Sequence, residues 1–196
     1  AGAVAELTAM LLKSDYRGLG SQVRVVLLEG TGRILNHLAP DLSESAERVL
    51  RAKGVEVRLG AFVQGFDGRQ VQLKDGSGIA AHTLIWAAGV RSAGVVDSLG
   101  SPQGSQNRVR VNPDLSLPDD PQVYVIGDAA SIEDGEGKAL PMVAPVAMQQ
   151  GRLAAENILA RLAGRETQPF RYKDPGSLAT IGRSQAVAQL GRLKFR

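Results

Sequence analysis

Cysteine is absent from the 196 residues, which excludes disulfides, thiolate metal sites, Cys nucleophiles and a redox dithiol from this stretch and fits a reducing compartment. Histidine is nearly absent: His37 and His82 are the only two, too few for a His-rich site, so no metal is expected. No apolar run approaches the roughly 18 to 20 residues of a membrane span. A charge excess is missing too. Net charge is +3 and the 23 basic residues are scattered rather than clustered, so nucleic acid is not an expected partner.

Glycine, by contrast, is plentiful. Its 23 residues exceed an average usage of about 7% and point to tight turns or close approaches of backbone to ligand. The length suffices for one large or two small domains that bury roughly 70% of the unfolded surface.

Hydrophobic periodicity lays out the elements. Val4, Leu7, Leu11 and Leu12 follow helical spacing over residues 1–14, and the chain begins without Met, cap or turn, as though inside a helix. A loop is expected over 15–22, and Val23–Glu29 is nearly continuous in apolar residues, as a buried parallel strand would be. Ser43–Lys53 carries a helix-start pattern and ends at Gly54, a suitable C-cap; Val55–Leu59 reads as a strand. Short strands then follow over 61–66, 70–74 and 83–87, with Asp67-Gly68 and Asp75-Gly76 as hairpin signals. Strands are also expected at 109–112 and 123–126, joined through the turn-rich stretch Pro113–Pro121. A helix should run from Pro145 to about Ala163, and two further strands cover 178–181 and 186–190.

Four places invite a chemical reading. Glu29 closes a strand where an acidic residue can accept ribose hydroxyls and repel a 2′-phosphate; its ordinary reading is a solvated charge at a strand end. The apolar run Leu84–Val90 ends in Ala88 and Gly89, small enough for backbone to approach a flat ring or pyrophosphate, or simply a turn after a buried strand. Val123–Ile126 closes on Gly127-Asp128, which puts a carboxylate at the carboxyl edge of a sheet, although Gly-Asp is common in turns. Sixteen residues after Asp128 begins Ala144-Pro145-Val146-Ala147-Met148-Gln149-Gln150-Gly151, which opens a helix and aims free N–H groups at the same crevice.

The last two segments together resemble the flavin-binding end of type II NADH:quinone oxidoreductases. There an Ile-Gly-Asp strand end precedes an Ala-Gln-x-Ala-x-Gln helix start, and this chain departs from the pattern with Pro145 in place of a Gln. A third segment, Lys173–Gly182, resembles the Lys-x-x-Gly-x-Ala-x-Ile-Gly stretch that follows in the same family. The resemblance implies an α/β fold: a Rossmann-like FAD/NAD(P)-binding domain with a parallel sheet and β-meander crossover, the return segment of an FAD domain, and a C-terminal β-rich segment. It assigns 1–112 to NAD binding, with a preceding strand and glycine turn missing, 113–165 to the FAD domain, and 166–196 to a strand pair before a missing membrane anchor.

The implied reaction passes electrons from NADH through FAD to a quinone, with FAD and NAD as cofactors and no catalytic side chain required. Glu29, Ala88, Gly89, Gly127, Asp128, Ala144, Pro145, Val146 and Ala147 become cofactor contacts, with Asp128 on the FAD ribitol. Val146 and Ala147 are expected as N–H donors to the flavin because Pro145 has none, and Gln149 and Gln150 become quinone contacts. The implied location is peripheral, at the cytoplasmic face of the cell membrane; homodimer formation is left open. Alternatives are an FAD-dependent NAD(P)H reductase with a soluble acceptor such as ferredoxin, and a nucleotide-binding fragment without activity.

Overall fold

Residues 1–19 and 23–196 are described by the structure, a computed structural model; the loop expected over 15–22 lies partly outside them. The described residues divide into two units, one of 1–86 with 175–196 and one of 87–174.

The first unit opens with α1 (Gly2–Ser14). Its expected apolar face is not the one that packs: Val4 and Leu7 are exposed, while Gly2 and Ala5 are buried. The reason is close approach. A Cβ on Gly2 would lie 2.9 Å from the Gly182 nitrogen and 3.1 Å from the Ile181 carbonyl carbon, so the helix docks through its smallest side chains. Glu6 on the same helix accepts hydrogen bonds from Lys53 Nζ at 2.6 Å and the Arg183 N–H at 2.9 Å.

Strand β1 (Val25–Leu28) pairs in parallel with β2 (Val55–Arg58), Val25 opposite Val55. Between them runs α2 (Pro40–Ala52), three residues longer at its start than the pattern suggested. Pro40 is tolerated in the first turn because its missing N–H would have no helical partner, and the Ala39 carbonyl accepts from Leu42 and Ser43. Leu42, Ala46 and Leu50, spaced four apart, meet Val55, Val57, Ile181 and Val187 in the core. Gly54, at φ +81°, ends the helix in the left-handed conformation.

A meander of β3 (Val63–Phe66), β4 (Gln70–Leu73) and β5 (Gly78–Ala80) follows. Asp67 accepts from the Arg69 and Gln70 N–H groups, and Asp75 from the N–H and hydroxyl of Ser77, so each Asp-Gly turn is held by its own carboxylate. The third strand is 78–80 rather than the expected 83–87. That later segment finds no neighbour to pair with among the described residues, and Ile85 and Trp86 stand exposed. The unit is completed by antiparallel β8 (Ser177–Thr180), β9 (Ala186–Leu190) and β10 (Leu193–Phe195), the last unforeseen in the pattern.

In the second unit β6 (Val109–Arg110) pairs in parallel with β7 (Ala130–Ser131). Residues 123–126 are not a strand in a ladder. They run against 115–117, with the Leu117 N–H donating to Val123 O at 2.8 Å and the Val125 N–H to Leu115 O at 3.0 Å. They then tighten into a 3₁₀ turn, Gly127–Ala129. Helix α3 (Ala144–Leu162) packs Val146 and Ala154 onto Leu115, Ile132 and Leu140. After it, residues 165–174 form neither helix nor strand but are stapled at intervals. Buried Asn157 exchanges two hydrogen bonds with the Gln168 backbone, both 2.8 Å, and the Phe170 N–H reaches Pro113 O at 2.7 Å.

Candidate functional site

The site builds outward from Gly127. Its φ of +66° is one that side-chain-bearing residues rarely adopt, and a Cβ there would meet the Ala147 methyl at 3.4 Å. This turn ends the 123–126 segment and presents Asp128 to solvent. Among the described residues the Asp128 carboxylate has no hydrogen-bond or ion-pair partner, so its four lone-pair positions are available to a ligand's hydroxyls.

Helix α3 starts beside the same turn. Ala147 lies against Gly127, and a Cβ on Gly151 would be 3.7 Å from the Ile126 Cδ1. The geometry changes which amides are free. The N–H groups of Val146 and Ala147, the expected donors, both point at the Val143 carbonyl, at 3.1 and 3.2 Å. Pro145 has no N–H, so among the described residues the Ala144 N–H is the donor left at the helix start. Val146 is buried in the core, whereas Ala144 is exposed.

The two glutamines part company. Gln149 is half-buried, and its amide spans the Lys173 backbone, donating to the carbonyl at 2.8 Å and accepting from the N–H at 3.0 Å. Gln150 is 1% exposed and accepts the Gly127 N–H at 2.6 Å. Gln150, expected as a quinone contact, faces inward with its oxygen committed to the Gly127 backbone. The resemblance implies a quinone contact for it, beside Gln149. The signal that could have found it is its place three residues after Ala147, on the helix stripe that faces the core.

Ala88 and Gly89 are exposed, with Gly89 at φ +104°. In the first unit, Glu29 follows β1 directly. Its backbone is tied to the β2 side through Arg58 O and the Ala61 N–H, both at 2.9 Å. One carboxylate oxygen accepts from the Thr31 N–H and hydroxyl, each at 2.8 Å, and the other is left open among the described residues. Phe62 covers the next residue so closely that a Cβ on Gly30 would sit 2.8 Å from its ring.

Comparison with known proteins adds the family. The model of the pyridine nucleotide-disulphide oxidoreductases matches residues 1–151, well over half of the chain. The chain belongs to this family. Within the pyridine nucleotide-disulphide oxidoreductases it is similar to the type II NADH:quinone oxidoreductase Ndh of Mycobacterium tuberculosis, 36% identical over all of this chain and 44% of that protein. It is also similar to the type II NADH:quinone oxidoreductase of Staphylococcus aureus, 31% identical over 91% of this chain and 45% of the relative. The chain thus spans a little under half the length of these relatives. Its fold resembles that of NDH2 from Plasmodium falciparum, whose structure was solved in complex with NADH: TM-score 0.82 at 16% identity, over 98% of this chain and 55% of that one. The fold is accordingly the Rossmann-like α/β type of this family, with parallel pairs β1–β2 and β6–β7.

Proposed function

We propose that the protein carrying this chain oxidises NADH through FAD and delivers the electrons to a quinone, as a type II NADH:quinone oxidoreductase. The observation that carries the reading is the juxtaposition of an unpartnered Asp128 carboxylate, a left-handed Gly127 turn and the opening of α3. It lies in a chain alignable over its whole length with a protein of that activity. These residues fit FAD: an exposed acceptor for a ribitol hydroxyl, a small-residue cradle at Gly127, and a free Ala144 N–H at a helix start. What bound FAD supplies is hydride acceptance from the nicotinamide and two-electron delivery to the quinone.

The protein's part is to bind and orient. Asp128 holds the ribitol. The start of α3, with its dipole and the Ala144 N–H, favours negative charge on the ligand. In the first unit the open oxygen of Glu29 accepts a ribose hydroxyl of NADH and disfavours a 2′-phosphate. Ala88 and Gly89 offer no side chain that would hold a cofactor at a distance. Gln149 is the quinone-side residue, and a quinone carbonyl that reaches its amide competes with the Lys173 backbone. By role, 1–112 serve NAD, 113–165 serve FAD, and 166–196 follow as a β-rich segment, within a protein attached peripherally at the cytoplasmic face of the membrane. No helix among the described residues is long and apolar enough to cross one. A homodimer is compatible with this reading.

The decisive experiment is Asp128→Ala in the complete gene product. FAD retention should fall and NADH:quinone activity with it; a variant that keeps full flavin occupancy would remove Asp128 from the site. Glu29→Gln should raise the KM for NADH and relax discrimination against NADPH, and unchanged kinetics with both nucleotides would count against the ribose role.

A further inference from the structure

Gln150 stands out because the ligand roles above leave it unused although it is among the most deeply buried polar side chains. Its oxygen takes the Gly127 N–H at 2.6 Å, across 23 residues of sequence. The Gly127 N–H, part-buried and in a turn rather than a strand ladder, needs a partner from elsewhere. Helix α3 supplies it. Ala147, Gln150, Gly151 and Ala154 lie on one stripe of the helix at i, i+3, i+4 and i+7. Ala147 closes on Gly127, Gly151 leaves room for Ile126, and Ala154 is buried in the core. The turn is thus gripped from one helix face by a methyl contact and a hydrogen bond one helical turn apart. The residue immediately after the gripped one is Asp128.

We infer that Gln150 is a positioning residue for the flavin site: its side-chain oxygen fixes the left-handed Gly127 turn and so sets where the Asp128 carboxylate meets the ribitol. The inference rests on the proposed flavin role of Asp128 and adds a residue that touches no ligand. It also explains why the second glutamine of the pair is buried while the first is not. The same helix end then performs two tasks, with Ala144 facing the ligand and Gln150 facing the turn.

The test uses the complete gene product, stripped of flavin and titrated with FAD. Q150M preserves shape and removes the acceptor, and should raise the Kd for FAD about tenfold or more, the scale of a lost hydrogen bond to a buried polar group. Q150E keeps an acceptor oxygen and, at a pH low enough to hold the buried carboxyl neutral, should stay within about threefold of wild type. Because Gln150 acts through Asp128, Q150M and D128N should be non-additive: the double variant binds FAD little more weakly than D128N alone. Wild-type affinity in Q150M, equal damage from Q150E, or full additivity with D128N would each overturn the inference. Should Q150M fail to fold, hydrogen exchange at the Gly127 amide decides on the wild-type protein: slow exchange supports the grip and rapid exchange refutes it. Wild-type protein that takes up no FAD would instead sink the functional reading itself, a result distinguishable from failure of Q150M alone.

Discussion

At the scale of single residues, the left-handed glycine and the buried amides decide most. Gly127→Ala keeps ordinary van der Waals distance to Ala147 but forces a side-chain-bearing residue to φ +66°, and should cost about 1 kcal/mol by chemical denaturation. A stability equal to wild type would mean the turn relaxes. Asn157→Ala should cost more, about 2 to 4 kcal/mol, because Asn157 is 1% exposed and satisfies the Gln168 N–H and carbonyl and the Asp114 carbonyl. Asp128 and Glu29 could be picked out in the sequence, since both are acidic residues that close apolar runs. The inward face of Gln150 could be read from its helix stripe, but its bond to Gly127 could not, because that partner lies 23 residues away. Gln149 is legible as a residue of the α3 opening, but its amide pairing with Lys173 depends on a loop whose path no periodicity encodes. Gln149→Ala should raise the KM for quinone while leaving that for NADH unchanged; a parallel rise in both would assign it to stability alone.

At the scale of elements, the helices and most strands of the first unit were legible from apolar spacing and turn residues. Residues 83–87 have strand-like composition but no neighbour to pair with among the described residues, and 123–126 meet 115–117 only through an isolated bridge, because pairing is a tertiary property. The reverse holds for β10, three exposed residues that become a strand because β9 lies alongside. Helix α1 was found while its buried face was not: two small residues replace the apolar stripe as its docking surface, since backbone proximity outweighs side-chain area there. Gly2→Ala should accordingly destabilise the protein by about 1 to 3 kcal/mol, because the added methyl would meet the Ile181–Gly182 backbone rather than a movable side chain. An unchanged Tm would show that α1 docks elsewhere.

For the whole molecule, the near balance of charge conceals an acid sensitivity. Hydrogen bonds from Lys194 and Arg196 hold the Asp41 carboxyl down to about 2. Lys53 lowers Glu6, and Arg24 with Arg58 lowers Glu56. Each folded value lies below its ordinary one, so the stability these groups contribute is complete above about pH 4.5 and is lost as pH falls toward 2. Tm should decline through that window, and Asp41→Asn should shallow the decline near its lower end. A Tm that held steady from pH 5 to pH 2 would contradict these pairings.

The stretch after α3 has a practical consequence. Arg165, Arg171 and Lys173 sit in backbone without helix or strand, the usual hunting ground of trypsin. Yet Gln168, Phe170 and Lys173 are each anchored, to Asn157, Pro113 and Gln149. A protease must peel several residues free before a bond fits its cleft, so native digestion should pass over Arg171 and Lys173, and cutting there should begin once Asn157 or Gln149 is replaced by alanine.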